Sequence, residues 1–329
     1  MGYRAHKIEA EEKEKRIKRI LFSIGVFLLL AVLVFSVIVP PETWKYYVAL
    51  PEIENREEGE LRIHFIDVGQ GDCTLVELPD GKVMMIDVGD DNVTATKQIL
   101  RYLNALEIEV IDYLIITHED ADHCGGVEDI VKLKKVVNAY LPTASKTSNP
   151  QYAEAYTALA DTDCNLIEAS RLTPLGGTGT NYTLAFLYPY GENDGEDEGN
   201  KSSSVVWLDY MGMNALFMGD ASDDVESLLL RDDKFGFLQK MGVDLDSIEI
   251  LKVAHHGSGY SSSAAFLQYL GVQTAVVSCG KDNPYGHPSN RVINDLTAVG
   301  ASVYRTDKDG HVIITISNNK TIETITLKD

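Results

Sequence analysis

The sequence predicts an α/β protein, two sheets with helices outside them in one domain of about 270 residues, preceded by one transmembrane helix. Two observations carry this. From Leu61 onward, short β-type runs alternate with helix-like segments, in two blocks of strands each followed by helices. Ahead of them, Ile20 to Val39 run twenty residues without a charge. At 44% apolar and 24% charged residues, the 329-residue chain is of globular rather than disordered composition. Four scattered cysteines (Cys73, Cys124, Cys164, Cys279) with no C-x-x-C pair exclude a zinc ribbon and a dense disulfide scaffold. The formal net charge of −21 has the wrong sign for a protein that holds nucleic acid mainly by surface electrostatics.

Residues 1–19 form a basic tail with seven Lys/Arg against four Glu, a net of +3 that leaves −24 on the remainder. Twenty helical residues reach about 30 Å, the thickness of a bilayer's hydrocarbon core, and Pro40-Pro41 stop the run. A core helix apolar on every face would not sit at the extreme terminus. A cleaved signal peptide would have a shorter apolar region, about 7–15 residues, and a small-x-small site before Pro40. Residues 20–39 are therefore read as a signal anchor in the lipid bilayer. Only Lys45 and Arg56 follow within about twenty residues, so the positive-inside rule predicts a cytoplasmic N-terminus and an extracellular domain after Pro40. Trp44, Tyr46 and Tyr47 fit the outer aromatic belt. Residues 40–60 read as a linker and 61–329 as the exported domain.

Within that domain, Leu61–Asp67, Cys73–Leu78 and Lys82–Asp87 are strand-like, the last two joined by the turn Pro79-Asp80-Gly81. Thr94–Leu106 is helix-like, and Val110–Thr117 is a strand apolar enough to be buried on both faces. Helix Gly126–Lys132, strand Val136–Leu141 and helix Tyr152–Asp161 follow, before a less regular strand region. The acidic, glycine-rich stretch Gly191–Asn200 reads as a solvated loop, because it lacks the ligand spacing of a calcium loop. The second block has strands Thr183–Tyr188, Ser204–Tyr210 and Ala215–Met218, helix Asp223–Met241 and strand Ile248–Ala254. Helix Ser262–Leu270, strand Thr274–Ser278 and helix Asn290–Val299 come next, then strands Ser302–Thr306, Val312–Ser317 and Thr321–Leu327.

Chemistry concentrates after the buried strand Val110–Thr117, in His118-Glu119-Asp120-Ala121-Asp122-His123-Cys124-Gly125-Gly126. A tight loop at a strand end turns closely spaced side chains toward one point, as a pair of metal ions requires. Imidazole and carboxylate ligands suit Zn²⁺, Mn²⁺ or Fe²⁺. Cys124 has no partner cysteine nearby in sequence and reads as a small residue filling the loop rather than a redox group. Two further strand ends repeat the pattern: Met218-Gly219-Asp220, and Lys252-Val253-Ala254-His255-His256-Gly257-Ser258. Adjacent histidines on an extended segment point oppositely, so only one of His255 and His256 is expected to be a ligand. The constrained loop Asn283-Pro284-Tyr285-Gly286-His287-Pro288 presents one more imidazole, and five of the chain's eight histidines lie in these three histidine-bearing loops.

The segments FIDVGQGDCTLVELPDGKVMMIDVG (65–89), THEDADHCGG (117–126), FMGD (217–220), LKVAHHGSGYSS (251–262) and NPYGHPS (283–289) together resemble the metallo-β-lactamase superfamily, in the variant found in the extracellular domain of ComEC-type late competence proteins. The resemblance covers about 225 residues and does not extend to the multi-span DNA channel of those proteins. It implies an αββα sandwich with two divalent metal ions, Zn or Mn, between the upper sheet edges. Carried over, His118 and Asp120 hold the first metal, and Asp122 and His123 hold the second together with His256. Asp220 bridges. Asp72, Asp87 and His255 support the ligands from behind. His287 joins Asp122 as a catalytic group, facing the substrate to stabilise a phosphoryl oxygen or protonate the leaving group. The superfamily's usual third histidine of the first site has no counterpart near Asn200–Ser204, which makes that site oxygen-rich and favours Mn²⁺.

The implied activity is metal-dependent hydrolysis of a phosphodiester, with DNA as a candidate substrate. The acidic domain opposes a polyanion, and no basic run with interleaved aromatics offers a stacking track. A smaller envelope phosphodiester, as in phosphorylcholine esterases, is the alternative. A non-catalytic tethered binding module is the rival from another class, and the retention of nearly all ligands weighs against it. Protein partners are not legible.

Overall fold

Residues 2–38, 41–142, 149–176, 181–191 and 199–328 are described by the computed structural model, which divides into two units, Met1–Ala49 and Leu50–Asp329. The first unit contains helix α1 (Gly2–Ile38) and a short 3-10 turn, Pro41–Tyr46. Between Glu12 and Val37, α1 is long and apolar enough to cross a membrane, and Phe22, Phe27 and Val34 lie fully on its exposed surface.

The second unit begins with β1 (Leu61–Phe65), β2 (Thr74–Glu77), β3 (Val83–Ile86), α2 (Val93–Ala105) and β4 (Val110–Ile115). Then come α3 (Ala121–Cys124), α4 (Val127–Leu133), β5 (Lys135–Leu141), α5 (Pro150–Ala160), β6 (Asn165–Glu168) and β7 (Tyr182–Tyr188). Past a 3-10 turn at Gly199–Ser202 the chain forms β8 (Val205–Tyr210), β9 (Met213–Phe217), α6 (Asp223–Lys234), α7 (Phe237–Lys240) and β10 (Ile250–Lys252). It ends with α8 (Ala264–Leu270), β11 (Thr274–Val277), α9 (Asn290–Ala298), β12 (Ser302–Arg305), α10 (Thr306–Asp309), β13 (His311–Ile316) and β14 (Ile322–Leu327).

The strands form an eight-stranded sheet, β14-β13-β1-β2-β3-β4-β5-β6, and a six-stranded sheet, β12-β11-β10-β9-β8-β7. Apolar residues on the facing surfaces, among them Phe65, Ile86 and Ile115 of the first sheet and Phe186, Phe217 and Val276 of the second, make one core between them. A second core lies outside the six-stranded sheet, where Leu229 of α6, Phe266 and Leu267 of α8 and Leu296 of α9 cover Leu216, Leu251 and Val277. On the other flank, α2 buries Ile99, Leu100 and Leu103, and α4 packs on β5. This is the αββα sandwich.

Strand direction positions the chemistry. β3, β4, β5 and β6 are parallel neighbours, as are β9, β10, β11 and β12. Their C-terminal ends therefore share one edge of each sheet, the usual place for a site in an open α/β sheet. Helix caps follow sequence chemistry: Asn92, Ser263 and Ser289 each accept backbone N–H groups at the starts of α2, α8 and α9.

Three local expectations are corrected. The predicted helix Asp223–Met241 breaks into α6 and α7 at Gly236, whose φ of 73° ends the first helix in the left-handed conformation that glycine accepts. The predicted strand Ile248–Ala254 shrinks to Ile250–Lys252, because the chain turns at Ala254–Gly257. The single turn α3 was not foreseen, four residues being too few for a helical period. Of the acidic stretch Gly191–Asn200, residues 192–198 lie outside the described residues.

Candidate metal centre

The site is built from four strand ends. Asp87 follows β3, the His118–His123 segment follows β4, Asp220 follows β9 and the histidine pair follows β10. Glycines let these segments meet. A Cβ on Gly125 would stand 2.3 Å from Asp91 N, and one on Gly126 would stand 2.3 Å from Val88 O, so the pair brings the β4 loop against the backbone after β3.

Three histidines are held in one way. His123 Nδ1 donates to Asp87 Oδ2 at 2.8 Å, and His256 Nδ1 donates to the Ser278 carbonyl at 2.9 Å. The Thr117 hydroxyl donates to Asp87 Oδ2 at 2.8 Å and accepts from His118 Nδ1 at 3.1 Å. In each ring the anchored Nδ1 leaves Nε2 as the atom presented to the site. The Nε2 atoms of His118 and His123 are buried with no hydrogen-bond partner, as is Asp220 Oδ1. Buried polar atoms are normally satisfied, so orphans on converging ligand-type atoms fit a divalent cation.

Asp220 is the hub. Its Oδ1 lies 3.3 Å from His123 Nε2, while its Oδ2 lies 3.6 Å from His256 Nε2 and 3.7 Å from His255 Nε2. Its backbone N–H donates to Ser203 Oγ at 2.9 Å, which fixes the strand end. Among the described residues four overlapping groups of ligand atoms could hold a metal: His118, His123 and Asp220; Asp122, His123 and His256; Asp72, Asp220 and His256; and Asp72, Asp87 and His123. Asp122 Oδ2 stands 3.2 Å from His256 Nε2.

The electrostatics are those of crowded buried carboxylates. Burial raises the pKa of Asp220, but the neighbouring His256 and His123 outweigh it and hold the carboxyl well below its ordinary range. The same contest lowers Asp122, through His256 and His123. Conversely, burial lowers His256, yet Asp220 and Asp72 pull it up to about 10, and Asp220 with Asp87 raises His123 well above its ordinary value. Five aspartates (Asp72, Asp87, Asp120, Asp122, Asp220) share the region with the buried Lys252. Such a cluster draws cations to the Nε2 positions.

Not every expected ligand joins the cluster. The Asp120 side chain is 46% exposed and meets His118 Nε2 at 3.5 Å, but it enters none of the ligand groups among the described residues. Asp87 sits behind His123 with a positive φ of 59°, a strained backbone held by the hydrogen bonds it accepts from Thr117 and His123. Asp72 is an ion-pair partner of the buried Lys252 and lies 3.3 Å from His256 Nδ1. His255 and His256 are not extended: both have left-handed backbones (φ 49° and 52°), so both rings face Asp220 instead of pointing oppositely. His287 stands beside them, 5.3 Å between ring centres from His255, on a loop closed by Asn283.

Three contributors were missed by sequence reasoning. Lys252 Nζ reaches both Asp72 and the Gly219 carbonyl, at 3.2 Å for the latter. A lysine at the end of an apolar strand was the available signal. Ser203 orders Asp220, and Asn200 Nδ2 lies 3.3 Å from His255 Nδ1, so the segment without the third histidine still borders the site. Neither residue type announces such a role.

Residues 66–281 match the family model described as the metallo-beta-lactamase superfamily. "ComE operon protein 3" of Bacillus subtilis is 30% identical over 271 residues, 78% of this chain and 33% of that protein. "Competence protein ComA" of Neisseria gonorrhoeae is 28% identical over 253 residues, 77% of this chain and 32% of that protein. The chain thus spans about a third of the length of these curated relatives. Among solved structures, the metallo-beta-lactamase fold protein YhfI of Bacillus subtilis aligns with a TM-score of 0.49 at 11% identity, covering 78% of this chain and 99% of that one. The chain belongs to the metallo-β-lactamase superfamily and is related to competence proteins.

Proposed function

We propose that this protein is a membrane-anchored, exported phosphodiesterase that cleaves DNA with two divalent metal ions, Zn²⁺ or Mn²⁺. The observation that carries the reading is the convergence of the His118, His123 and His256 Nε2 atoms on the two oxygens of Asp220. His118, His123 and Asp220 would hold one ion, with Asp120 closing its exposed side; Asp122, His123, His256 and Asp220 would hold the other. A divalent cation at such a site lowers the pKa of water to about 7 and withdraws charge from a phosphoryl oxygen.

The chain's own residues supply the rest. Asp122, the more solvent-facing of the inner carboxylates, accepts a proton from the attacking water. His287 donates a hydrogen bond to a phosphoryl oxygen or passes a proton to the leaving oxygen. Asp87, Asp72 and His255 keep the ligand rings and carboxylates in place, which matters because small misplacements of a catalytic group are costly. The apolar stretch of α1 and the basic tail before it support a single-pass anchor with the N-terminus in the cytoplasm.

A smaller envelope phosphodiester is the second reading, favoured by the formal net charge of −21, which opposes a long polyanion. The full chain in detergent micelles, incubated with linear DNA and Mn²⁺ or Zn²⁺, tests the choice. Metal-dependent shortening that is lost in Asp220→Asn is the expected result. Intact DNA with metal bound rejects the nuclease, and hydrolysis of bis(p-nitrophenyl) phosphate in that case moves the substrate to a small diester.

A further inference from the structure

Two large aromatic side chains stand exposed on loops bordering the metal centre: Tyr285, 67% exposed, and Tyr260, 82% exposed. An isolated exposed tyrosine needs no explanation. Three features set Tyr285 apart. Its ring lies nearly parallel to that of His287, with centroids 5.8 Å apart and planes at 25°. His287 is in turn stacked toward His256, at 6.4 Å and 29°, so the three rings form a column leading from solvent to the ligands.

The loop that carries the ring is braced. Asn283 Oδ1 accepts from His287 N at 3.0 Å, and Asn283 Nδ2 donates to the carbonyls of His287 and Gly280 at 2.6 and 2.9 Å. The loop is also tied to its neighbour. Ser289 N donates to Gly257 O at 2.8 Å, and the Arg291 guanidinium donates to the carbonyls of Gly259, Ser261 and Ser262, the first at 3.2 Å and the last at 3.1 Å. Tyr260 rides on that second loop. An aromatic held in place loses little freedom when a planar ligand lands on it.

We propose that Tyr285 is a stacking platform for an unpaired nucleobase of the strand whose phosphate reaches His287. The inference rests on the phosphodiesterase reading above and narrows its substrate class to single-stranded nucleic acid. A nucleotide joins base and phosphate through one sugar, so a base laid on the outer face of Tyr285 continues the ring column while its phosphate turns toward His287. Stacking also answers the charge objection, since it supplies affinity without basic residues. A base within a duplex is already stacked on both faces, so only an unpaired or splayed base can take this position.

The test measures binding by fluorescence anisotropy, using the full chain in detergent micelles with Mn²⁺. The probes are two labelled phosphorothioate 12-mers of equal charge, one of thymidine and one wholly abasic. The thymidine strand is expected to bind about 5- to 100-fold more tightly, the range for one base on one aromatic ring. Tyr285→Ala should collapse that ratio toward one, and Tyr285→Phe should retain it. Equal binding of the two strands, no detectable binding of either, or an undiminished ratio in Tyr285→Ala overturns the proposal. Cleavage of ordinary DNA is scored separately. Base preference without cleavage leaves the platform and removes the nuclease, while cleavage without base preference does the reverse.

Discussion

Asp87 Oδ2 accepts a hydrogen bond from His123 Nδ1 at 2.8 Å, and through the same oxygen it takes the Thr117 hydroxyl that orients His118. One carboxylate behind the site therefore aims the Nε2 atoms of two histidines. Asp87→Asn keeps the volume but turns an acceptor-only group into a partial donor facing two donors. We expect metal affinity to fall about 10- to 100-fold, with the fold retained. Competition against a fluorescent chelator measures this, and an unchanged affinity would remove Asp87 from the site.

Lys252 is buried against Asp72, which also faces His256 Nδ1 at 3.3 Å. Lys252→Met leaves Asp72 uncompensated, and breaking a buried pair in this way costs about 3–5 kcal/mol. Lys252→Met/Asp72→Asn together should be more stable than Lys252→Met alone. Thermal melts of both variants check the order, and a double variant no better than the single would show that the pair is not coupled.

Metal removal should weaken the whole second unit. Asp72, Asp87 and Asp220 are buried within one region, so their mutual repulsion rises when cations leave. An ion present at 100 times its dissociation constant adds about 2.7 kcal/mol by mass action. A chelator should therefore lower the melting temperature and added Mn²⁺ or Zn²⁺ restore it. A melting temperature indifferent to both would speak against a metal in this cluster.

A second buried network sits away from the site. His64 Nε2 donates to Glu77 Oε1 and its Nδ1 accepts from the Tyr102 hydroxyl, each at 2.9 Å. Burial lowers the pKa of His64 more than Glu77 raises it, so the folded state keeps the ring neutral below its ordinary 6.5. Below pH 6.5 the unfolded chain takes up a proton that the folded chain refuses, so stability is full above that pH and falls as acid is added. Glu77, whose pKa is also lowered, acts in the same direction further down. His64→Gln should flatten the fall in melting temperature between about pH 6.5 and 5.5, and parallel slopes in the two proteins would contradict this.

Much of this molecule was legible beforehand, for identifiable reasons. Thr274–Val277 is buried throughout and Val110–Ile115 over its last three residues, while Val110 is exposed against the expected burial on both faces; their apolar ends, and the loops that follow, could still be placed. His118, His123, Asp220 and His256 were read as ligands because each follows a strand end, and the fold brings the four together. The turn at His255 and His256 was not, since two non-glycine residues with positive φ contradict local preference and are held there by tertiary contacts. The role of Lys252 was hidden for a related reason: its partner Asp72 lies 180 residues away in the chain, and no local pattern records that pairing. Asp120 shows the converse. Its spacing marks it as a ligand equal to Asp122, whereas the fold leaves it half exposed at the margin, a distinction set by the single helical turn at Ala121–Cys124.

The most direct measurement is the number of divalent ions the full chain binds, by titration with Mn²⁺ or Zn²⁺ followed by elemental analysis of the desalted protein. Two ions per chain are expected in the native protein and fewer in His123→Ala, because His123 belongs to three of the four ligand groups and to both proposed ion sites. A native protein that retains no ion, or a His123→Ala protein that binds as many as the native one, would contradict this.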